Sequence, residues 1–190
     1  MKTLILLVSA LLISFGAHAE LTPAQYTALK ADILADSALA ALAVAGNYDS
    51  IAQAYNVAPA QACTAWRTEV MKHEITTQSG PGGTAFNWSG TGGYISRSQG
   101  ERDAFKEIFN STGSINPSLP NVQAAFADIF SGTGAGAVAN RTHFNAMSRR
   151  PTTRAEKLFA TGECSDATPA TLSFEGSLEW PDVRQALTEY

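Results

Sequence analysis

RRPTTRAEKLFATGECSD, residues 149–166, holds four basic side chains, a helix-start signature and a cysteine within eighteen positions. Thr153 followed three residues later by Glu156 is a capping box, in which the hydroxyl and the carboxylate each satisfy the other's free backbone N–H. Leu158 and Phe159 then point inward, and Gly162 ends the helix. The same grammar recurs outward along the chain. LTPAQYTALKADILAD, residues 21–36, opens with Thr22, Pro23 and Gln25 and continues with Tyr26, Leu29 and Ile33 at helical spacing. Ser98 with Glu101 makes a third box, ahead of Phe105, Ile108 and Phe109 on one face.

Between these anchors, SALAALAVAG (37–46) extends the first helical run to a stop at Gly46, and NYDSIAQAYN (47–56) reads as a short helix with Ile51, Ala54 and Tyr55 inward. APAQACTAWRTEVMKHE (58–74) reads as a further helix, with Cys63, Trp66 and Val70 on its inner face. Pro117 and Pro120 set an extended entry to a helix carrying Val122, Phe126, Ile129 and Phe130 and stopped by Gly132. A weaker helical stretch covers 137–148. The tail, ATLSFEGSLEWPDVRQALTEY (170–190), starts as a short strand through Leu172 and Phe174, turns near Gly176 and ends in a helix begun by Pro181. The expected architecture is a single, mainly α-helical domain over residues 20–190, with a short β-hairpin or small sheet and a glycine-rich loop.

That loop, TTQSGPGGTAFNWSGTGGYISR (76–97), cannot stay helical and spaces Phe86, Trp88 and Tyr94 among its glycines. It reads as a hairpin-like excursion whose aromatics tuck onto the helices, with a ligand-binding loop as the alternative.

The first nineteen residues, MKTLILLVSALLISFGAHA, combine Lys2, an apolar run from Leu4 to Phe15, and small residues at Ala17 and Ala19. This is the pattern of a secretory signal peptide, too short for a membrane span, so the mature chain is expected to start near Glu20 and to have no span. Removing Lys2 takes the formal charge from −4 to −5. That balance argues against nucleic-acid binding, which needs Lys and Arg against phosphates. In an oxidising compartment the two cysteines, Cys63 and Cys164, are expected to form a disulfide closing a loop of about 100 residues. A reactive thiol is the competing reading; it needs a nearby base, and no His or Asn arrangement accompanies Cys164.

Candidate chemistry is sparse. His73-Glu74 lacks the second histidine of a zincin helix, so no metal is expected, and no cofactor motif is present. There is no GxSxG, and GTGAGAVAN (132–140) follows a helix rather than the strand of a phosphate-binding loop. A cell-wall glycosidase would need two carboxylates, for which Glu101 with Asp103, or Glu74, are the candidates. Glu101, however, is already accounted for as the partner of Ser98. Arg149, Arg150, Arg154 and Lys157, with Arg141 further upstream, form the one basic concentration. It is a candidate surface for an acidic partner, or else a solvated helix face in which Lys157 favours the helix's carboxyl end.

The segments LTPAQYTALKADILAD, AWRTEV, SRSQGERDAF, NPSLPNVQAAFADIFSG and, most specifically, RPTTRAEKLFATG followed by DATPATLSFEGSL resemble a family of small, mostly uncharacterised proteins of tailed bacteriophages and prophages. The resemblance touches most of residues 20–190 and brings no catalytic or ligand residues with it. It implies a non-enzymatic structural or interaction protein, virion-associated or assembly-related, with a phage structural or envelope protein as partner. An exported cell-wall enzyme and an envelope factor that excludes competing phages are the alternatives. The chain departs from the family pattern in its N-terminal segment and in its cysteines at 63 and 164. Both departures have one physical cause, since an exported copy gains from a bridge that a cytosolic copy would not keep. The expected location is therefore periplasmic or extracellular, or the virion if the first nineteen residues are not a signal.

Overall fold

The computed structural model describes residues 20–109 and 113–190, so the expected signal segment lies outside the described residues. The chain is mainly α-helical with small two-stranded sheets. Its elements are α1 Pro23–Ala35, α2 Ser37–Val44, α3 Tyr48–Tyr55, β1 Thr64–Trp66, β2 Val70–Met71, α4 Lys72–Thr77, α5 Gln99–Glu107 and β3 Ser114–Ile115. There follow α6 Pro120–Ile129, α7 Ala135–Met147, β4 Arg149–Pro151, α8 Arg154–Leu158, β5 Ala160–Thr161, β6 Thr171–Leu172 and α9 Trp180–Glu189. Among the described residues no helix is long and apolar enough to cross a membrane.

All three capping boxes form as the spacing predicts, at Thr22/Gln25, Ser98/Glu101 and Thr153/Glu156. The run expected to continue unbroken to Gly46 is instead split at Asp36. That residue leaves the helical region (φ −93°, ψ 111°) and caps α2 through its carboxylate, which accepts from the N–H groups of Ala38 and Leu39.

The expected helix over 58–74 is overturned. This stretch is β1, a turn, β2 and only then α4. Cys63 and Ala65 are buried while Thr64 and Trp66 face outward, a period of two rather than 3.6. The strand exists because remote backbone satisfies it. β1 pairs antiparallel with β4, from Thr64 opposite Pro151 to Trp66 opposite Arg149, and on its other side Trp66 donates to the Ala170 carbonyl while Ala170 donates to that of Thr64, both at 2.9 Å. β6 follows Ala170 and pairs with β5, and β2 pairs with β3.

Among the described residues two large apolar cores result, with a small third cluster of Cys63, Ala65 and Ala170 at β1. Helices α1 to α3, α8 and α9 enclose one, with Leu29, Ile33, Ile51, Tyr55, Phe174 and Val183 at its centre. Elements from β2 to α7 enclose the other, built around Phe105, Phe126, Phe130 and Phe144. Phe126 and Phe144 stack with ring centroids 3.9 Å apart. The chain passes from the first core to the second through β1 and returns through β4, so both crossings lie side by side in one ladder.

The glycine-rich loop is fastened to α7. Asn140, fully buried, accepts from the Asn87 N–H at 2.6 Å and donates to the Asn87 carbonyl at 3.1 Å, standing in for a β-partner. Gly136 permits this approach, since a Cβ there would sit 2.5 Å from the Gly93 nitrogen. Phe86 is buried against Phe105 and Phe130, as the hairpin-like reading expects, whereas Trp88 stays 46% exposed. His143 adds a second tie, with Nε2 donating to the Ile75 carbonyl at 2.8 Å and Nδ1 3.1 Å from the Thr84 hydroxyl. Replacing Asn140 with Ala strands the Asn87 N–H, while the Asn87 carbonyl keeps the Tyr94 N–H as a donor at 3.1 Å. Thermal or urea unfolding of Asn140→Ala should therefore show a loss of about 1–3 kcal/mol.

Candidate functional site

The basic stretch identified in the sequence is divided by its secondary structure. Arg149 and Arg150 lie on β4 and line a cavity of about 320 Å³ together with Thr64 and Asp166. Arg154 and Lys157 lie on α8 and share a different cavity, and Lys157 also lines a further one.

On β4, Arg150 makes a two-pronged bond to Glu156 at 2.7 and 2.8 Å and reaches Glu175 at 2.8 Å. Glu175 in turn accepts from the Thr68 hydroxyl. Glu156 is almost fully buried and also accepts from the N–H groups of Thr153 and Gly176. Burial raises its pKa, but Arg150 and these backbone donors outweigh burial and leave it below the ordinary glutamate value. Arg149 lies over the Trp66 ring, 5.0 Å from its centroid, and donates to the Asp166 carbonyl. The two side chains thus bind β4 to β1, α8 and the tail.

On α8, Arg154 donates to Asp32 at 2.9 Å and to Asp36 at 3.2 Å, with its guanidinium 4.7 Å from the Tyr55 ring centroid. Tyr55 donates to the same Asp32 oxygen at 2.5 Å, and burial, together with Asp32, pushes its phenol far above the ordinary tyrosine value. Lys157 donates to the carbonyl and side-chain oxygen of Gln61, at 3.0 and 3.3 Å.

Two cavities meet at this last contact. One, of about 480 Å³, runs between α1, α8 and the 59–61 loop, with Asp32 and Arg154 at its polar end and Pro59, Ala60 and Leu158 as apolar lining. The other, of about 530 Å³, lies beyond Gln61 and Lys157 and is lined by Ala62, Ala160, Glu163 and Cys164. Both volumes fall in the range of ligand-binding clefts.

Cys164 and Cys63 are joined, with Cα atoms 4.5 Å apart, at a sequence separation of 101. Cys164 has φ +60°, the left-handed region that non-glycine residues seldom occupy, and its carbonyl accepts from Thr64 N–H at 3.1 Å. The bridge holds the wall of the second cavity against the start of β1.

The three carboxylates considered for acid/base catalysis are each engaged by local partners. Glu101 is bound to the Ser98 hydroxyl and N–H and then to Arg97, which together lower its pKa. Glu74 caps α4 through the Met71 N–H and pairs with Arg67; burial opposes these contacts, but the net pKa is lowered. Asp103 is lowered by Lys106 and Gln99. A glycosidase acid needs the opposite shift. Among the described residues no three His, Cys, Asp or Glu side chains gather as a metal site would require.

Compared with protein-family models, curated proteins and solved structures, the chain shows no match to any of them. The composition of the site therefore rests on its own geometry. Asp32, Asp36, Tyr55 and Gln61 were not legible as site residues from sequence, since they meet Arg154 and Lys157 only across gaps of about a hundred positions.

Two outcomes follow from this geometry. Glu156→Ala leaves Arg150 without its main partner and should cost about 3 kcal/mol in urea unfolding at neutral pH. Because the folded-state pKa of Glu156 lies below its unfolded value, its contribution is complete above ordinary glutamate pKa and is lost as pH falls through the folded value. The gap between wild type and variant should therefore narrow progressively as pH falls below the ordinary glutamate range. Replacing both cysteines with serine should remove about 4–5 kcal/mol on the chain-entropy model. In the unreduced native protein, thiol labelling should modify neither cysteine.

Proposed function

We propose that this chain is a phage- or prophage-derived protein that works, after export, by binding another protein rather than by catalysis. The observation that carries this reading is the pair of adjoining cavities along α8. Each is lined by a single carboxylate, Asp32 in one and Glu163 in the other, where acid/base cleavage requires two facing one substrate. The ionised, engaged states of Glu74, Glu101 and Asp103 support the same reading. A disulfide and the absence of a membrane-spanning helix among the described residues are compatible with an exported protein. The phage origin is supported by the sequence resemblance, and the partner we expect is a virion or envelope protein.

The test uses oxidised residues 20–190 as bait against periplasmic extract of the producing bacterium, together with mass spectrometry of purified phage particles. The expected result is one envelope or virion protein that rebinds when purified. Failure to find a partner in either sample, with peptidoglycan clearing in zymograms that disappears in Glu101→Gln, would replace binding with an exported cell-wall activity.

A further inference from the structure

Lys157 stands apart from the other three basic side chains of its stretch. Arg150 is balanced by Glu156 and Glu175, and Arg154 by Asp32 and Asp36, while Arg149 is engaged by a carbonyl and an aromatic face. The ammonium of Lys157 meets only the neutral oxygens of Gln61, and among the described residues no carboxylate pairs with it. Lys157 lines both cavities, and an ammonium carries three N–H donors, one more than these two contacts need.

We infer that this junction is a carboxylate-recognition point for an extended segment of a partner protein, with a Glu or Asp side chain of that segment seated on Lys157. The inference rests on the binding role proposed above and names its surface. Charge complementarity selects the occupant. A cation with no internal counter-ion, set between half-enclosed cavities, gains a partner when a carboxylate arrives, whereas a neutral side chain at that point leaves the ammonium as it was. The lining on either side is made of Pro59 and Ala60 in one direction and Ala62 and Ala160 in the other, so small neighbours fit beside the acid. Glu163, which accepts from the Thr168 hydroxyl and forms no ion pair among the described residues, also lines the second cavity and disfavours a second acidic residue there. The preferred segment therefore has one acid flanked by small, neutral or basic residues.

Carbodiimide coupling reads this directly, because it joins a carboxylate to an amine with no spacer, so a seated pair couples in preference to chance encounters. The probe is an acetylated, amidated heptapeptide of alanine with a central glutamate, incubated with oxidised residues 20–190. These residues contain four lysines, Lys30, Lys72, Lys106 and Lys157. Peptide mapping should find the adduct at Lys157 at least fivefold over each of the others. A tenfold excess of the same peptide with glutamine at its centre should leave that yield unchanged, and an excess of an isotopically heavy copy of the glutamate peptide should dilute the light adduct. Lys157→Gln should abolish the dominant adduct without altering the far-UV circular dichroism or the disulfide, while Lys106→Gln should leave it intact. Equal coupling across the four lysines, or a dominant adduct elsewhere, overturns the site even if a partner is recovered by pull-down. Preferred coupling at Lys157 upholds the site even if no partner is recovered.

Discussion

The β1–β4 ladder is the constraint on which the rest of the molecule depends. Each of its strands is only three residues long, too short to stand alone, yet both passages of the chain between the two cores run through it. Its stability is borrowed from side chains around it. Arg150 fixes β4 to buried Glu156, Arg149 covers Trp66 on β1, and the Cys63–Cys164 bridge ties the residue before β1 to the loop after β5. Without these fastenings the two cores would be joined by little more than a pair of linkers.

The same fastenings explain why the basic stretch is not one uniform patch. A charge run of this kind most simply reads as a solvated face, but β4 and α8 point its members in different directions. Three of the four hold the fold: Arg150 and Arg154 are each paired with two carboxylates, and Arg149 is held by the Asp166 carbonyl and the Trp66 ring. What remains outward is Lys157, placed by α8 at the edge where the two cavities join. Structural and binding roles are thus separated by a few residues of one short segment.

How much of this could be read from the chain depends on the range of the interactions. The boxes at Thr22, Ser98 and Thr153 were legible because a hydroxyl and its reciprocal partner lie three residues apart, a distance the helix itself fixes. So were the aromatic stripe of α6 and the stop at Gly132, where φ is +91°. The 58–74 stretch was misread because Cys63, Trp66 and Val70 happen to repeat at helical intervals. Its strands are decided by carbonyls and N–H groups near residues 150 and 170, which no local pattern announces. Asp36 was missed as a break because alanine and leucine on both sides favour helix. The groove was invisible for the same reason as β1, since Asp32, Gln61 and Lys157 come from three separate regions.

The path of the chain has a consequence for engineering. The second core is a continuous insert within the first, and its entry and exit already touch, with Arg67 N–H donating to the Ser148 carbonyl at 2.8 Å. A single peptide splice at that contact would delete the whole insert while leaving the remaining helices in sequence.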